Sequence, residues 1–328
     1  MRAVIVEHPG GPEVLKIGEI PDPVPGRGEL LVRVRATALN RLDLLQREGR
    51  YPLPPGAPET LGVEMAGEVV GWGEDVTGWT RGDRVCALLL GGGYAELVTV
   101  PAAMAIRIPA NLSVEQAAAI PEAFLTAYLN LFMLGGLKAG GYALIHAGAS
   151  GVGTAAIQLV REAGARAIVT VGSAEKAARC RDLGASAAIN YRDGPFAPHV
   201  MEATAGRGVD VIIDVVGAPY WEQNLACLAQ AGCLILLAML GGGRLEIDLG
   251  AIQRKRLRII GSLLRPLPLE EKVALTAQFT AFALPLLADG RLAPVIDSVY
   301  TLDEAAAAHR RMEANANIGK IVLRVPTP

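Results

Sequence analysis

Gly148, Ser150 and Gly153 are the residues whose types and spacing first promise chemistry. They fall in "HAGASGVGTAAIQLV" (146–160), between the apolar run "YALI" (142–145) and a helical stretch. A G-x-G-x-x-G turn from strand to helix cradles a pyrophosphate. The first glycine makes the tight turn, the second admits the phosphate, and the third brings the helix against the strand. Here Gly148 and Gly153 fill the first and third places and Ser150 the second. The serine backbone approaches a ligand less closely, so its hydroxyl is expected to face the ligand instead. Gly151 and Val152 fall at the helix N-terminus, where backbone N–H groups and the helix dipole hold anions. A glycine-rich turn with no ligand has the same letters, so the surrounding chain decides.

A second group of residues speaks to which dinucleotide would bind. A free ribose 2′-hydroxyl is normally held by Asp or Glu at the end of the second strand. Here that strand, "AIVTV" (167–171), ends in Gly172 and Ser173, and Lys176 follows one helical turn later. A small hydroxyl and a lysine suit a 2′-phosphate, which a carboxylate would repel. Glu175 sits in a first helical turn, where the dipole favours it in any case. Tyr191, with Arg192 beside it, ends the third strand and is placed to flank the same pocket. NADPH is therefore the expected cofactor; as ordinary exposed charges, Lys176 and Arg192 would carry no such meaning.

The elements around these residues give them a frame. Residues 1 to about 120 are punctuated by Pro and Gly and carry short alternating segments, such as "ELLVRVRATAL" (29–39), "EMAGEVVGWG" (64–73) and "YAELVTV" (94–100). That pattern predicts a β-rich domain. From about 122 the rhythm turns helical in "PEAFLTAYLNLFML". Strands at 142–146, 167–171, 187–190, 209–215, 233–239 and 258–263 then alternate with helices at 151–164, 174–183, 198–205 and 220–229. Strands joined by helical crossovers predict a doubly wound parallel sheet. Beyond 265 the sequence predicts a helix closed by Gly290, a second helix over 302–315, and a last strand, "GKIVLRV", that rejoins the first domain.

Composition excludes several classes. The 328 residues carry 31 basic and 33 acidic side chains, a net charge of -2, with no like-charge run that marks a nucleic-acid or membrane-binding face. "RKRLR" (254–258) is read as a solvated turn. Aromatic residues are only 5% of the chain, too few for an RNA-stacking platform. Cys86, Cys180, Cys227 and Cys233 form no CxxC pair and match no zinc spacing, which fits reduced thiols in a cytoplasmic protein. The N-terminus reads as a strand rather than a signal peptide, and no apolar run approaches a membrane span.

The β-rich start, the discontinuous join and "HAGASGVGTAAIQL" together resemble the medium-chain dehydrogenase/reductase superfamily. Within it, "RATALNRLDLLQREGRYPLPPGAPETLGVEMAGEV" (35–69) is similar to the zinc-free quinone oxidoreductase branch. "LLLGGGYAELVTVP", "AAAIPEAFLTAYLNL", "YWEQNLACL" and "MEANANIGKIVL" resemble the same branch, so the likeness covers nearly the whole chain. It implies an α/β fold: a discontinuous GroES-like catalytic domain (1–122 and 265–328) and a Rossmann domain with a doubly wound parallel sheet (123–264).

Zinc-dependent relatives carry Cys where this chain has Asn40, and His-Glu where it has Val63-Glu64; they also carry a four-cysteine lobe. Here the segment from Cys86 to Tyr94 is a short Gly-rich turn. Asn and Val are poor zinc ligands, so no metal is expected, and without that Lewis acid simple alcohol oxidation is disfavoured. A conjugated acceptor is the natural substrate, because hydride addition to a quinone or enone delocalises charge onto oxygen. The resemblance implies that Asn40 orients the acceptor carbonyl and Tyr51 forms a wall of the cleft. Asn40 as a helix N-cap, and Tyr51 as a packed loop residue, remain open readings. Asp43 is expected to face solvent or make a local bond.

Further contacts are implied by the resemblance alone. Thr126 would approach the nicotinamide amide. Val216, Met239, Leu240, Leu263 and Leu264 would line the nicotinamide side, and Asn317 and Lys320 would close over the cofactor. Lys320 taken alone reads as a strand-edge charge, and His146 as a packed strand residue. A homodimer is expected through "CLILLAML" (233–240) and "RIIGSLL" (258–264). The expected activity is NADPH-dependent, zinc-independent quinone reduction, with reduction of activated C=C bonds as its neighbour. A purely binding role, as in crystallins or RNA-binding relatives, is the remaining alternative.

Overall fold

The computed structural model describes residues 1–326. The chain begins with a two-stranded antiparallel ribbon, β1 (Arg2–Val6) and β2 (Leu15–Glu19). Next come β3 (Glu29–Ala38), the short helix α1 (Arg41–Arg47), β4 (Glu64–Trp72), β5 (Arg84–Leu88), β6 (Leu97–Pro101), β7 (Ile106–Arg107) and α2 (Val114–Ala118). Alternation drives these strands: in β3, Leu30, Val32, Val34 and Ala36 are buried while Arg33 faces out. The Pro-rich segments stay outside the regular elements, since proline cannot donate to a ladder.

The helix α3 (Pro121–Tyr128) continues into a π-helical turn, Leu129–Leu134. A regular alternation follows: β8 (Tyr142–Ile145), α4 (Gly151–Glu162), β9 (Arg166–Val171), α5 (Ala174–Asp182), β10 (Ala187–Asn190), α6 (Ala197–Ala203), β11 (Val209–Asp214), α7 (Trp221–Cys227), β12 (Leu228–Leu236), α8 (Leu249–Lys255) and β13 (Arg258–Gly261). The six strands form one parallel sheet in the order β10-β9-β8-β11-β12-β13. The order reverses between β8 and β11, which in doubly wound sheets is where ligands bind, beyond the strand C-termini. Leu144, Ile168, Ile212 and Leu234 form the centre of its core with Phe196 and Trp221.

The chain then runs through α9 (Leu269–Ala288), β14 (Ile296–Thr301), α10 (Ala305–Glu313) and β15 (Lys320–Arg324). β15 pairs antiparallel with β3, and the sheet order is β14-β15-β3-β4-β5-β7, with β6 also on β3. The described chain divides into two compact units, Met1–Leu125 with the segment from Arg265 onward, and Thr126–Leu264.

Several elements differ from the sequence expectation. β12 starts at Leu228 rather than 233, and the helix expected to reach 229 ends at Cys227. Ala231 adopts a left-handed φ of 59° there, so the strand takes a kink that apolar periodicity does not report. "RKRLR" is only partly a turn. Arg254 and Lys255 close α8, and Arg256 is its left-handed C-cap. The three Lys255 bonds, to the Leu225, Ala226 and Leu228 carbonyls, fasten that end of the helix below β12. The four cysteines are buried and unpaired.

Candidate functional site

In the first unit, one buried polar cluster gathers residues from four parts of the chain. Asn40 ends the run from β3 and occupies the N-cap position of α1, with extended backbone. With Asp43 at the third helical position it forms a capping box, so the N-cap reading holds, and the same side chain also reaches away from the helix. Nδ2 donates to Glu64 Oε1 at 2.8 Å and to the Ala38 carbonyl at 3.2 Å. Lys320, the first residue of β15, enters from the other side. Its ammonium donates to Asn40 Oδ1 at 2.6 Å, Glu64 Oε1 at 2.6 Å and the Leu39 carbonyl at 2.7 Å. Glu64 Oε2 accepts the Glu122 N–H at 2.8 Å. Asn40 is thus held at both ends of its amide, a fixed polar group rather than a flexible one.

Lys320 therefore corrects the expectation that it closes over the cofactor. Its three donors are directed to partners inside the first unit, where a buried ammonium must find a counter-charge. Asn317 lies half-buried in the loop before β15, its Nδ2 donating to the Gly319 carbonyl at 2.8 Å. Asp43 does not face solvent; it is fully buried. Its carboxylate accepts the Asn40 N–H at 2.7 Å and the Gly62 N–H at 3.1 Å, so the local-bond half of the expectation stands. Burial pushes its carboxyl up to about 6, although both amides and Lys320 work against the rise.

Glu122, in the first turn of α3, was not singled out in the sequence. Its side chain is buried, and Oε2 has no hydrogen-bond partner. Burial, followed by the nearby Glu64 charge, raises its carboxyl to about 8. Arg265 is the second residue the sequence did not mark. Its guanidinium lies over the Tyr51 ring at 5.4 Å, donates to the Leu90 carbonyl and Gln46 Oε1, and leaves one buried nitrogen without a partner. Burial also raises the Tyr51 hydroxyl pKa. Tyr51 is thus packed in its proline-rich loop and forms a wall over Arg265. Behind the cluster, Tyr94 contacts His309 at 3.3 Å, and His309 contacts Arg47 at 3.2 Å, all buried. His309 is lowered to about 3 by burial and by Arg47, so this relay holds a neutral imidazole.

The second unit holds the glycine loop. Gly148 follows β8, and a Cβ there would stand 2.5 Å from Val169 Cβ. At Gly153 a Cβ would stand 2.5 Å from the carbonyls of both Ala147 and Gly148. Both positions are thus closed to side chains by strand and turn, as the motif requires. Ser150 differs from expectation: its Oγ caps α4, accepting the Gly153 N–H at 3.0 Å. Gly151 and Val152 fill the first turn of that helix, where main-chain donors lack intrahelical partners. Ala147 takes a left-handed φ of 53°, a strain that no sequence signal announced.

Gly172, Ser173, Lys176 and Tyr191 come together beyond β9 and β10. A Cβ on Gly172 would stand 2.6 Å from the Tyr191 hydroxyl. Ser173 caps α5, its Oγ accepting the Lys176 N–H at 3.2 Å, and no carboxylate ends β9. Val216 follows β11, its N–H bonded to Asp214 Oδ1 at 2.7 Å. Met239, Leu240 and Leu263 are exposed, whereas Leu264 is buried. His146 is the packed strand residue expected, bonded to Thr170 and Asn224. Two buried hydroxyls, Thr126 Oγ1 and Ser262 Oγ, have no partner. Buried hydroxyls of this kind fit a ligand that brings polar groups, as a nicotinamide carboxamide does. Among the described residues, no group of three or more His, Cys, Asp or Glu side chains is arranged to hold a metal. No described helix is long and apolar enough to cross a membrane.

Comparison with known proteins agrees with this architecture. The alcohol dehydrogenase GroES-like domain family matches residues 26–110, and the zinc-binding dehydrogenase family matches residues 151–280. A quinone oxidoreductase from Pseudomonas aeruginosa is 37% identical, over 96% of both chains. The crystal structure of Escherichia coli quinone oxidoreductase complexed with NADPH superposes with a TM-score of 0.89 and 32% identity, covering 99% of this chain and 100% of that one. The JamJ enoyl reductase superposes with a TM-score of 0.86 at 27% identity, covering 99% of each. The chain belongs to the medium-chain dehydrogenase/reductase superfamily. It is an oxidoreductase of that superfamily, and its likeness to quinone oxidoreductases extends over nearly its full length.

Proposed function

We propose that this protein reduces quinones with NADPH, by hydride transfer and without zinc. The second unit holds the dinucleotide: the pyrophosphate on Gly148, Ser150, Gly151, Val152 and Gly153, and the 2′-phosphate near Gly172, Ser173, Lys176 and Tyr191. Thr126, Val216, Met239, Leu240, Leu263 and Leu264 serve the nicotinamide end. When bound, the reduced nicotinamide supplies the hydride. The first unit supplies the acceptor's contacts. Tyr51 walls the ring, whereas Asn40, whose two Nδ2 hydrogens already go to Glu64 and the Ala38 carbonyl and whose Oδ1 accepts from Lys320, fixes the polar cluster rather than bonding the carbonyl oxygen as the resemblance implied.

The observation that carries the zinc-free reading is the three-way contact of Asn40, Glu64 and Lys320. The oxygens that would surround a metal already hold a cation, the chain's own ammonium. NADPH rather than NADH is supported by the glycine and serine that end the second strand and by Lys176 beside them. Reduction of activated C=C bonds (enones, 2-alkenals or enoyl thioesters) is the second reading, favoured by the enoyl reductase among the structural relatives. A homodimer is proposed with it, through the edge strand β13 and the exposed Met239, Leu240 and Leu263 of 233–240 and 258–264; Cys233, Leu234 and Ile235 of the first segment are core residues and take no part. A cytoplasmic setting fits the four unpaired cysteines.

The test is the loss of 340 nm absorbance of NADPH, and separately NADH, against ortho-quinones, para-quinones, 2-alkenals and an enoyl thioester. Quinone-driven oxidation of NADPH supports the first reading. Turnover of alkenals or thioesters alone moves the protein to the second. A preference for NADH contradicts the 2′-phosphate assignment, and NADPH binding without any turnover contradicts an enzymatic role.

A further inference from the structure

A cavity of about 600 Å³ lies wholly within the first unit. Its walls are the proline-rich loop over 54–58, the end of β5, the strand β6 and the start of α9. They are largely apolar, as in small-molecule sites, which commonly enclose about 300–1,000 Å³. Glu29 is the one acidic side chain in the lining, and its carboxylate is taken up by the Gly26 N–H at 2.8 Å. Two basic side chains line the same space, Arg265 and Lys272.

Arg265 is 2% exposed, and its five N–H donors are only partly used. Nε donates to the Leu90 carbonyl at 2.8 Å and Nη1 to Gln46 Oε1 at 2.9 Å, while Nη2 is buried with no partner. Lys272, half-buried, gives one donor to the Arg265 carbonyl at 3.2 Å. Each of these acceptors is uncharged. Asp43 and Glu122 attract the guanidinium through space without bonding it, and Arg265 in turn repels the Lys272 ammonium. The fold thus holds two like charges together at one cavity. A buried guanidinium nitrogen left open is unfavourable unless a ligand brings it an acceptor.

We propose that this cavity binds a small organic carboxylate, its charged end on Arg265 and Lys272 and its apolar body along the proline-rich loop and β6. The inference goes beyond the function proposed above and needs no turnover. A carboxylate suits the donors: Nη2 offers two N–H groups and the Lys272 ammonium keeps two more, enough for both oxygens. A neutral ligand would leave the two like charges uncompensated. Leu269, 52% exposed, lines the same cavity, and a hydrocarbon body covers such surface.

The experiment titrates octanoate calorimetrically into the full-length protein at neutral pH, with octanol as the uncharged body and acetate as the bare head. Octanoate is expected to bind roughly 10-fold or more tightly than either, the worth of one charge-assisted bond. Arg265→Gln and Lys272→Met should each weaken octanoate by roughly 10-fold and leave octanol unchanged. Thr99→Trp fills the cavity from β6 while keeping both cations, and should abolish octanoate binding. If Arg265→Gln does not fold, Lys272→Met and Thr99→Trp, each checked by thermal unfolding, decide the matter. No octanoate binding by the wild type, octanol binding as tightly, or wild-type affinity in both K272M and T99W overturns the site. A wild type that binds octanoate in this way supports the site even if it oxidises no NADPH, an outcome that would count against the proposed function alone.

Discussion

Lys320 Nζ stands 2.6 Å from Glu64 Oε1, with side chains 5% and 0% exposed, and Asn40 Oδ1 shares the same ammonium. This is a buried ion pair built between the first strand pair of the site and the last strand of the chain. Removing one member leaves an uncompensated charge, which costs far more than a surface pair. Lys320→Met is therefore expected to destabilise the protein by about 3–5 kcal/mol. Arg254→Ala, which breaks the exposed pair with Asp248, is expected to change stability by less than about 1 kcal/mol. Urea denaturation of the two variants checks the contrast, and equal losses would remove the special place given to Lys320.

The raised carboxyls give a second prediction with a definite sign. Asp43 and Glu122 have folded values of about 6 and about 8, above the ordinary values of 3.8 and 4.5. Between the ordinary and folded values the native state binds more protons than the unfolded state. Stability from these groups is therefore greatest at acid pH and declines as pH rises through that window. Glu122→Gln removes its share, on the order of a few kcal/mol. Relative to wild type, E122Q should gain stability between pH 5 and about 8.5. Parallel curves for the two proteins would contradict a raised Glu122.

The glycine loop allows a test of packing. Gly148→Ala places a methyl against Val169, and overpacking of this kind costs roughly 1–3 kcal/mol. Val169→Gly removes the facing Cβ itself, so the double variant should recover part of the loss of NADPH binding relative to Val169→Gly alone. Gly153→Ala meets main-chain carbonyls instead, and Val169→Gly should give it no relief. Thermal unfolding and dinucleotide titration of the five proteins separate the two cases.

Lys176→Ala tests the cofactor assignment. A charge-assisted bond to a phosphate contributes about 1.5–3 kcal/mol, so the NADPH KM should rise roughly 10- to 100-fold while the NADH KM holds. A common rise for both would place Lys176 elsewhere on the dinucleotide.

Much of the fold was legible because its signals are local. Alternation in β3, the strand–helix rhythm after residue 140 and the glycine spacing each depend on neighbours in sequence. The glycine-serine end of β9 was legible for the same reason. What could not be read depends on partners far along the chain. Lys320 reads as a strand-edge charge until β15 pairs with β3 and carries it to Glu64, 256 residues away. Glu122 reads as an acidic residue in a first helical turn, where the dipole favours it anyway. Its one sequence signal was isolation among apolar residues in "AAAIPEAFL". Asn40 and Asp43 three residues on spell a capping box, which the structure forms, but the complete burial of Asp43 depends on the distant Gly62, whose N–H it accepts. Ser150 attracts attention for its hydroxyl and is used as a helix cap, because the Gly153 amide three residues on lies within hydrogen-bond reach at 3.0 Å.

The central claim is reduction of a quinone by NADPH with no metal. The direct measurement is the initial rate of NADPH oxidation by a para-quinone, before and after exhaustive dialysis against a strong chelator, with zinc then returned. The account predicts the same rate in all three samples. Loss of activity on chelation, restored by zinc, would contradict it.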